Sequence, residues 1–181
     1  GAFFLSIAAG TLISFFEANL GDGAAVVRVM PNTPAAVRRG MSVLCANSHA
    51  SAAQQELCGG LMAAVGDTAW LADESLMDAV TAVSGSGPAY VFYLIECLAQ
   101  AGVEVGLDPE LSARLALQTV AGSGELARLS DDDAAQLRIN VTSPGGTTQA
   151  ALQVLMADGG LQPLMTTAVE AAEKRGKELG A

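Results

Sequence analysis

Ala79-Val80-Thr81-Ala82-Val83-Ser84-Gly85-Ser86-Gly87-Pro88-Ala89-Tyr90-Val91-Phe92-Tyr93-Leu94-Ile95-Glu96-Cys97 carries a single charge, Glu96, and three aromatic rings. A helix that is apolar all round has to be covered all round. The helices predicted after it are too few to enclose it, so a partner chain is expected to supply the rest. An obligate dimer through the segment after residue 74 follows. The composition agrees: of 181 residues, 51% are hydrophobic and 15% charged, and the mean hydropathy is +0.39. Such an apolar surplus is best placed against another subunit.

Upstream of this run the pattern alternates. Phe3 to Ala9 reads as a buried strand ending at Gly10. Thr11 to Leu20 reads as a helix closed by Gly21. Ala25 to Met30 is a second strand, stopped by Pro31, and Met41 to Ala46 a third. Ser51-Ala52-Ala53-Gln54 fits a capping box, which opens a helix to about Ala64. Thr68 to Ala72 is a fourth strand. Strand and helix in alternation predict the later part of a parallel α/β sheet.

Downstream the chain reads as helices, broken at Ser84 to Pro88, Gly102 to Pro109, Leu129 to Asp133, Val141 to Gly146 and Asp158 to Gly160. Pro88 suits a first helical turn, and Gly102 is expected to end that helix. Asp108-Pro109-Glu110 is a start signal, with a capping acid, a Pro and an acid in the first turn. Ser130 and three aspartates open the next helix. Lys174, Arg175 and Lys177 suit the C-terminal end of the last one. The expected domains are residues 1–73, α/β, and 74–181, helical.

Several functions are excluded by the residues. The net charge is −10, and nine Lys and Arg make no basic stripe, which argues against nucleic acid. No uncharged apolar run has the roughly 20 residues of a membrane span. Gly1 to Phe16 is uncharged but short, is interrupted at Gly10 and Thr11, and lacks a basic flank, so it does not read as a signal peptide. Cys45, Cys58 and Cys97 form no CxxC, and His49 has no nearby Cys pair, so no metal site is expected. The cysteines read as reduced core residues of a cytoplasmic protein. No P-loop, GxSxG or HExxH occurs. Gly85-Ser86-Gly87 lacks the third glycine of the dinucleotide fingerprint, and Gly122-Ser123-Gly124 with Ala127 falls inside a predicted helix.

Four short segments carry candidate chemistry. Ala8-Ala9-Gly10 ends a buried strand, where small residues let a cofactor lie against backbone, or make a plain turn. Met30-Pro31-Asn32-Thr33-Pro34 is a stiff polar loop at the next strand end, which suits a cleft wall or an ordinary turn. Ser84-Gly85-Ser86-Gly87-Pro88-Ala89 opens amide N–H groups at a helix start, fit for an anion, a carboxamide or a tight joint. Ser143-Pro144-Gly145-Gly146-Thr147-Thr148 weighs most. Backbone donors and two hydroxyls before a helix suit a carboxylate, and a threonine hydroxyl can bond a ring nitrogen.

Taken in order, the strand ending at Ala8–Gly10, RVMPNTPA (Arg28 to Ala35), VSGSGPAY (Val83 to Tyr90), NVTSPGGTT (Asn140 to Thr148), the pair Ala151-Leu152 and the tail VEAAEKRGKEL (Val169 to Leu179) resemble pyrroline-5-carboxylate reductases. The resemblance covers essentially the whole chain. It implies the end of a Rossmann-like doubly wound sheet that binds NADPH or NADH, followed by an all-α dimerisation domain. It implies a homodimer or an oligomer of dimers, and reduction of 1-pyrroline-5-carboxylate to L-proline. By resemblance, Ala8, Ala9, Gly10 and Asn140 contact cofactor, with Asn32 and Ser86 lining the cleft. Ser143, Gly145, Gly146, Thr147 and Thr148 hold substrate, Thr148 at its ring nitrogen, the one catalytic candidate. The first ~90 residues of such a nucleotide domain are expected to lie outside this chain, which alone is expected to be inactive. The competing readings are a β-hydroxyacid dehydrogenase, disfavoured because lysines occur only in the last helix, and a non-catalytic oligomerisation module.

Overall fold

The computed structural model describes residues 2–21 and 23–180. They form two compact units: residues up to Pro88 together with those from Ala168 onward, and Ala89–Thr167.

The first unit is built on a four-stranded sheet in the order β1-β2-β3-β4. β1 (Phe4–Ser6), α1 (Ile13–Leu20) and β2 (Val26–Met30) make one parallel strand–helix–strand unit. β3 (Gly40–Ala46), α2 (Ala52–Ala63) and β4 (Gly66–Trp70) make a second. Side chains alternate between the two faces of the sheet. Val27, Val29 and Leu44 pack with Cys58 of α2 on one face. Val26 and Cys45 pack with Ile13 of α1 and with Met77 on the other. β2 is buried on both faces because both are covered.

The two units are joined against the expected direction. β2 and β3 pair antiparallel, with Met30 opposite Val43, so the sheet is mixed rather than parallel. Parallel neighbours need a crossover of about a dozen residues or more. Here Pro31 to Arg39 makes only a 3₁₀ turn, Thr33–Val37, closed by Arg38 at φ 58°. The capping box at Ser51 forms as read, with Gln54 Oε1 accepting from the Ser51 N–H at 2.8 Å.

Met77 to Gly85 is already helical. α3 (Met77–Val80) runs into a π-helical turn, Thr81–Gly85, in which the Ser86 N–H donates to the Thr81 carbonyl at 2.8 Å. The expected break at Ser84–Pro88 is therefore a bend, and α4 (Gly87–Glu104) follows directly. Gly102 does not end α4. A Cβ there would strike Ser112, whose hydroxyl donates to the Ala99 carbonyl at 2.6 Å, so this glycine lets α5 approach. The stop is Gly106, at φ 101°.

In the second unit α5 (Pro109–Leu129) starts on Asp108, whose carboxylate accepts from the Glu110 and Leu111 amides at 3.0 and 3.1 Å. α6 (Ala134–Asn140) is capped by Asp133 rather than Ser130. α7 (Thr147–Leu155) and α8 (Leu161–Leu179) complete the chain. Only Ser112 and Ala116 are fully buried in this unit among the described residues. Phe92, Tyr93, Leu94 and Leu98 of α4 lie exposed. Cys97 is exposed too, which corrects its reading as a core residue. Its hydrogen bond to Tyr93 pushes that phenol up.

Candidate functional site

β1 ends at Ser6, short of the expected run to Ala9, and none of its residues is fully buried, so it is not the buried strand its apolar run suggests. Ala8 and Ala9 lie beyond it, both exposed, and Gly10 turns the chain at φ 74°. A groove of ≈ 400 Å³ lies beside this turn, lined by Gly10, Thr11, Leu12, Ser14, Phe15 and Gly180. α1 opens without a capping side chain of its own. Its Ile13 N–H donates instead to Glu74 Oε1 at 2.9 Å, and Arg28 Nη1 donates to the same oxygen at 2.8 Å. Arg28 is 3% exposed and Glu74 24%. Neither residue was expected at this joint. The available signal was the lone charge within the apolar strand Ala25 to Met30, since a buried cation needs a partner. Burial, then the charge of Glu74, pushes the neighbouring Cys45 thiol up. Burial alone does the same at Cys58. Both thiols are therefore protonated and inert at neutral pH.

The loop after β2 meets the sheet edge that carries the Ala8–Gly10 turn, because β1 and β2 run parallel. Asn32 is fully engaged there. Its Nδ2 donates to the Ser84 carbonyl at 3.2 Å and to the Ser84 hydroxyl at 3.3 Å, and its Oδ1 accepts from the Met41 N–H at 2.8 Å. It clamps the loop to β3 and to the π-helical turn. Ser86 is half-buried at the end of that turn. Its amide is bonded within the helix, so this segment is not the fresh helix start with open N–H groups that its glycines suggest.

In the second unit Asn140 is the last residue of α6. Its Nδ2 donates to Asp132 Oδ2 at 3.1 Å and its Oδ1 accepts from Gln136 Nε2 at 2.8 Å. Ser143 to Thr148 follow as a tight turn into α7. The donors expected of this turn divide into two sets. The Gly146 N–H donates to the Ser143 carbonyl at 3.0 Å, and the Gly145 N–H to Gln149 Oε1 at 2.6 Å. These two amides shape the loop. The amides and hydroxyls of Thr147 and Thr148 have no hydrogen-bond partner among the described residues, and Gly146, at the N-cap, has no side chain to cover them. Open first-turn amides and the helix dipole together favour an anion.

A mixed α/β sheet with helices on both faces, followed by a helical array, defines the end of a Rossmann-type domain joined to a helical one. A solved pyrroline-5-carboxylate reductase from Coxiella burnetii matches with a TM-score of 0.93 and 41% identity, over 98% of this chain and 65% of that one. A Plasmodium falciparum pyrroline carboxylate reductase solved with NADP bound matches with a TM-score of 0.85 and 37% identity, over 99% and 70%. The Pseudomonas aeruginosa pyrroline-5-carboxylate reductase is 50% identical over 175 residues, which is 97% of this chain and 64% of that protein. The family model for pyrroline-5-carboxylate reductase dimerisation matches residues 74–179. This chain belongs to the pyrroline-5-carboxylate reductase family. It spans 64% and 65% of the length of the first curated relatives it matches. Among the described residues no helix is long and apolar enough to cross a membrane.

Proposed function

We propose that this chain is part of a cytoplasmic reductase that converts 1-pyrroline-5-carboxylate to L-proline with NADPH or NADH, and that it works as a homodimer. The observation that carries the reading is the uncapped start of α7, with two threonines, in a chain of this family. The substrate carboxylate sits on the Thr147 and Thr148 amides, where helix dipole and free N–H groups favour it. The Thr148 hydroxyl meets the ring nitrogen. The reduced nicotinamide, when bound, would supply the hydride that the imine carbon takes up, and the nitrogen of the product keeps one proton, drawn from the substrate iminium or from solvent. The cofactor carries the electrons, and the protein supplies orientation and electrostatics.

In the first unit the cofactor is taken by the exposed turn Ala8 to Gly10 with its groove. The contact expected of Asn140, in the second unit, would have to displace that side chain's own bonds to Asp132 and Gln136. Asn32 and Ser86 shape the cleft edge rather than donate to a ligand, since their polar groups named above are engaged in the fold. Among the described residues no Gly-rich turn of dinucleotide spacing follows a strand. The pyrophosphate grip is therefore not among them, and the chain by itself is expected not to turn over. Dimerisation covers the apolar face of α4. The division at residue 74, with 1–73 nucleotide-binding and 74–181 dimerising, belongs to the same proposal.

The test is Thr148→Ala in the enzyme that carries this sequence. Losing a hydrogen bond to a charged or polar substrate atom costs about 1.5–3 kcal/mol, a ten- to hundredfold loss in kcat/KM on the order given by transition-state theory. KM for NADPH stays put. A variant with wild-type kcat/KM would remove the role assigned to Thr148.

A further inference from the structure

We infer that Gln149 is a positioning residue for the carboxylate-binding turn: its side chain latches Gly145 and so sets the amides of Thr147 and Thr148. The inference rests on the reductase reading of that turn.

Gly145 stands at φ 70°, a conformation that side-chain-bearing residues rarely hold. A glycine bears no strain there but is equally free to leave, so a fixed turn needs other bonds to hold it. Two bonds do so. Gly146 N–H to the Ser143 carbonyl closes the turn, at 3.0 Å. Gln149 Oε1 reaches back from the first turn of α7 and takes the Gly145 N–H at 2.6 Å. Gln149 is exposed. Holding a glutamine side chain in one rotamer costs up to roughly 1.5–2 kcal/mol of conformational entropy, so its bonding inward rather than to water points to a contact that contributes to the turn. The bond also takes Gly145's donor out of reach of a ligand. The anion is left to the Thr147 and Thr148 amides, whose directions follow from where Gly145 and Gly146 place the helix start.

Without the latch the turn samples other conformations, and the carboxylate has to select the competent one. That taxes substrate binding and leaves the hydride step, once bound, alone. Gln149→Met keeps length and removes the acceptor. In the enzyme carrying this sequence it is expected to raise KM for pyrroline-5-carboxylate about three- to tenfold, the weight of one neutral hydrogen bond. The kcat, the KM for NADPH and the melting temperature stay as in wild type. Gly145→Ala perturbs the same loop conformation, so the double variant is expected to lose no more than the worse single. A wild-type substrate KM in Gln149→Met would overturn the inference. So would additive losses in the double variant, or a fall in melting temperature with both KM values raised together, which is a merely structural effect. The wild-type enzyme is assayed alongside: turnover supports the reductase reading independently of Gln149, and absence of turnover overturns both.

Discussion

α2 and α7 both carry a glutamine three residues after the N-cap and differ in what they leave open. Ser51-Ala52-Ala53-Gln54 starts α2, and Gly146-Thr147-Thr148-Gln149 starts α7. Each glutamine reaches back to a loop amide, that of Ser51 in one case and of Gly145 in the other. In α2 the Ser51 hydroxyl also accepts from the Gln54 N–H, at 3.4 Å, so the box is reciprocal. In α7 the serine's place is taken by Gly146, and the front half of the box is vacant. A structural helix start satisfies its own donors. The start that fits a ligand keeps the half that shapes the loop and gives up the half that a carboxylate can replace. α1 shows a third solution, borrowing its cap from Glu74, 61 residues away.

The borrowed cap is the most consequential to break. Glu74→Ala strips α1 of its acceptor and leaves Arg28, 3% exposed, without its carboxylate. Breaking a buried ion pair from one side costs several kcal/mol because the remaining charge stays desolvated, and about 3 kcal/mol is expected here. Denaturant unfolding at fixed protein concentration measures it. A loss below about 1 kcal/mol would show that Arg28 behaves like a surface charge.

Gly146→Asp converts the α7 start to the self-satisfied type. The new carboxylate supplies the missing cap, worth about 1 kcal/mol to the helix. Part of that is lost because a Cβ at Gly146 lies 3.1 Å from the Ser143 carbonyl. It also puts a fixed negative charge where the substrate carboxylate is proposed to sit. The expected outcome is a loss of about a hundredfold or more in kcat/KM for pyrroline-5-carboxylate, on the order of 2.7 kcal/mol, with the fold kept. Unchanged kinetics would mean that substrate binds elsewhere.

Local punctuation made much of this legible in sequence. The capping box at Ser51, the Asp108 start and the strand end at Pro31 each depend on residues within a turn of one another. What stayed hidden depends on distance or on backbone direction. Nothing within Pro31 to Arg39 states which way β3 will run, because pairing direction follows the path of the connection. Gly102 and Gly106 are the same residue type, and only packing against Ser112 separates a contact point from a helix stop. The Arg28–Glu74 pair joins residues 46 apart in sequence. At the candidate site, Gly145-Gly146-Thr147-Thr148 announced a donor cluster. That Gln149 occupies one of those donors is a matter of side-chain geometry, which the motif does not carry.

The smallest effect is expected at the start whose donors are already satisfied. Ser51→Ala removes the hydroxyl that accepts from the Gln54 N–H and leaves Gln54 Oε1 still able to take the residue-51 amide. The acceptor distance of 3.4 Å is long for a hydrogen bond, so the loss belongs near the low end of the range for N-cap removal, about 0.5–1 kcal/mol. Because Ser51 is exposed, water can replace part of the lost acceptor. Hydrogen exchange reads the change locally: the Gln54 amide loses protection in Ser51→Ala, while the amides of β2 and β3 keep theirs. In the wild-type enzyme the Thr148 amide at the other start is expected to exchange fast and to gain protection when L-proline is added. If the Thr148 amide is already protected without ligand, the vacant half of the α7 box is filled by the protein itself, and the contrast between the two helix starts disappears.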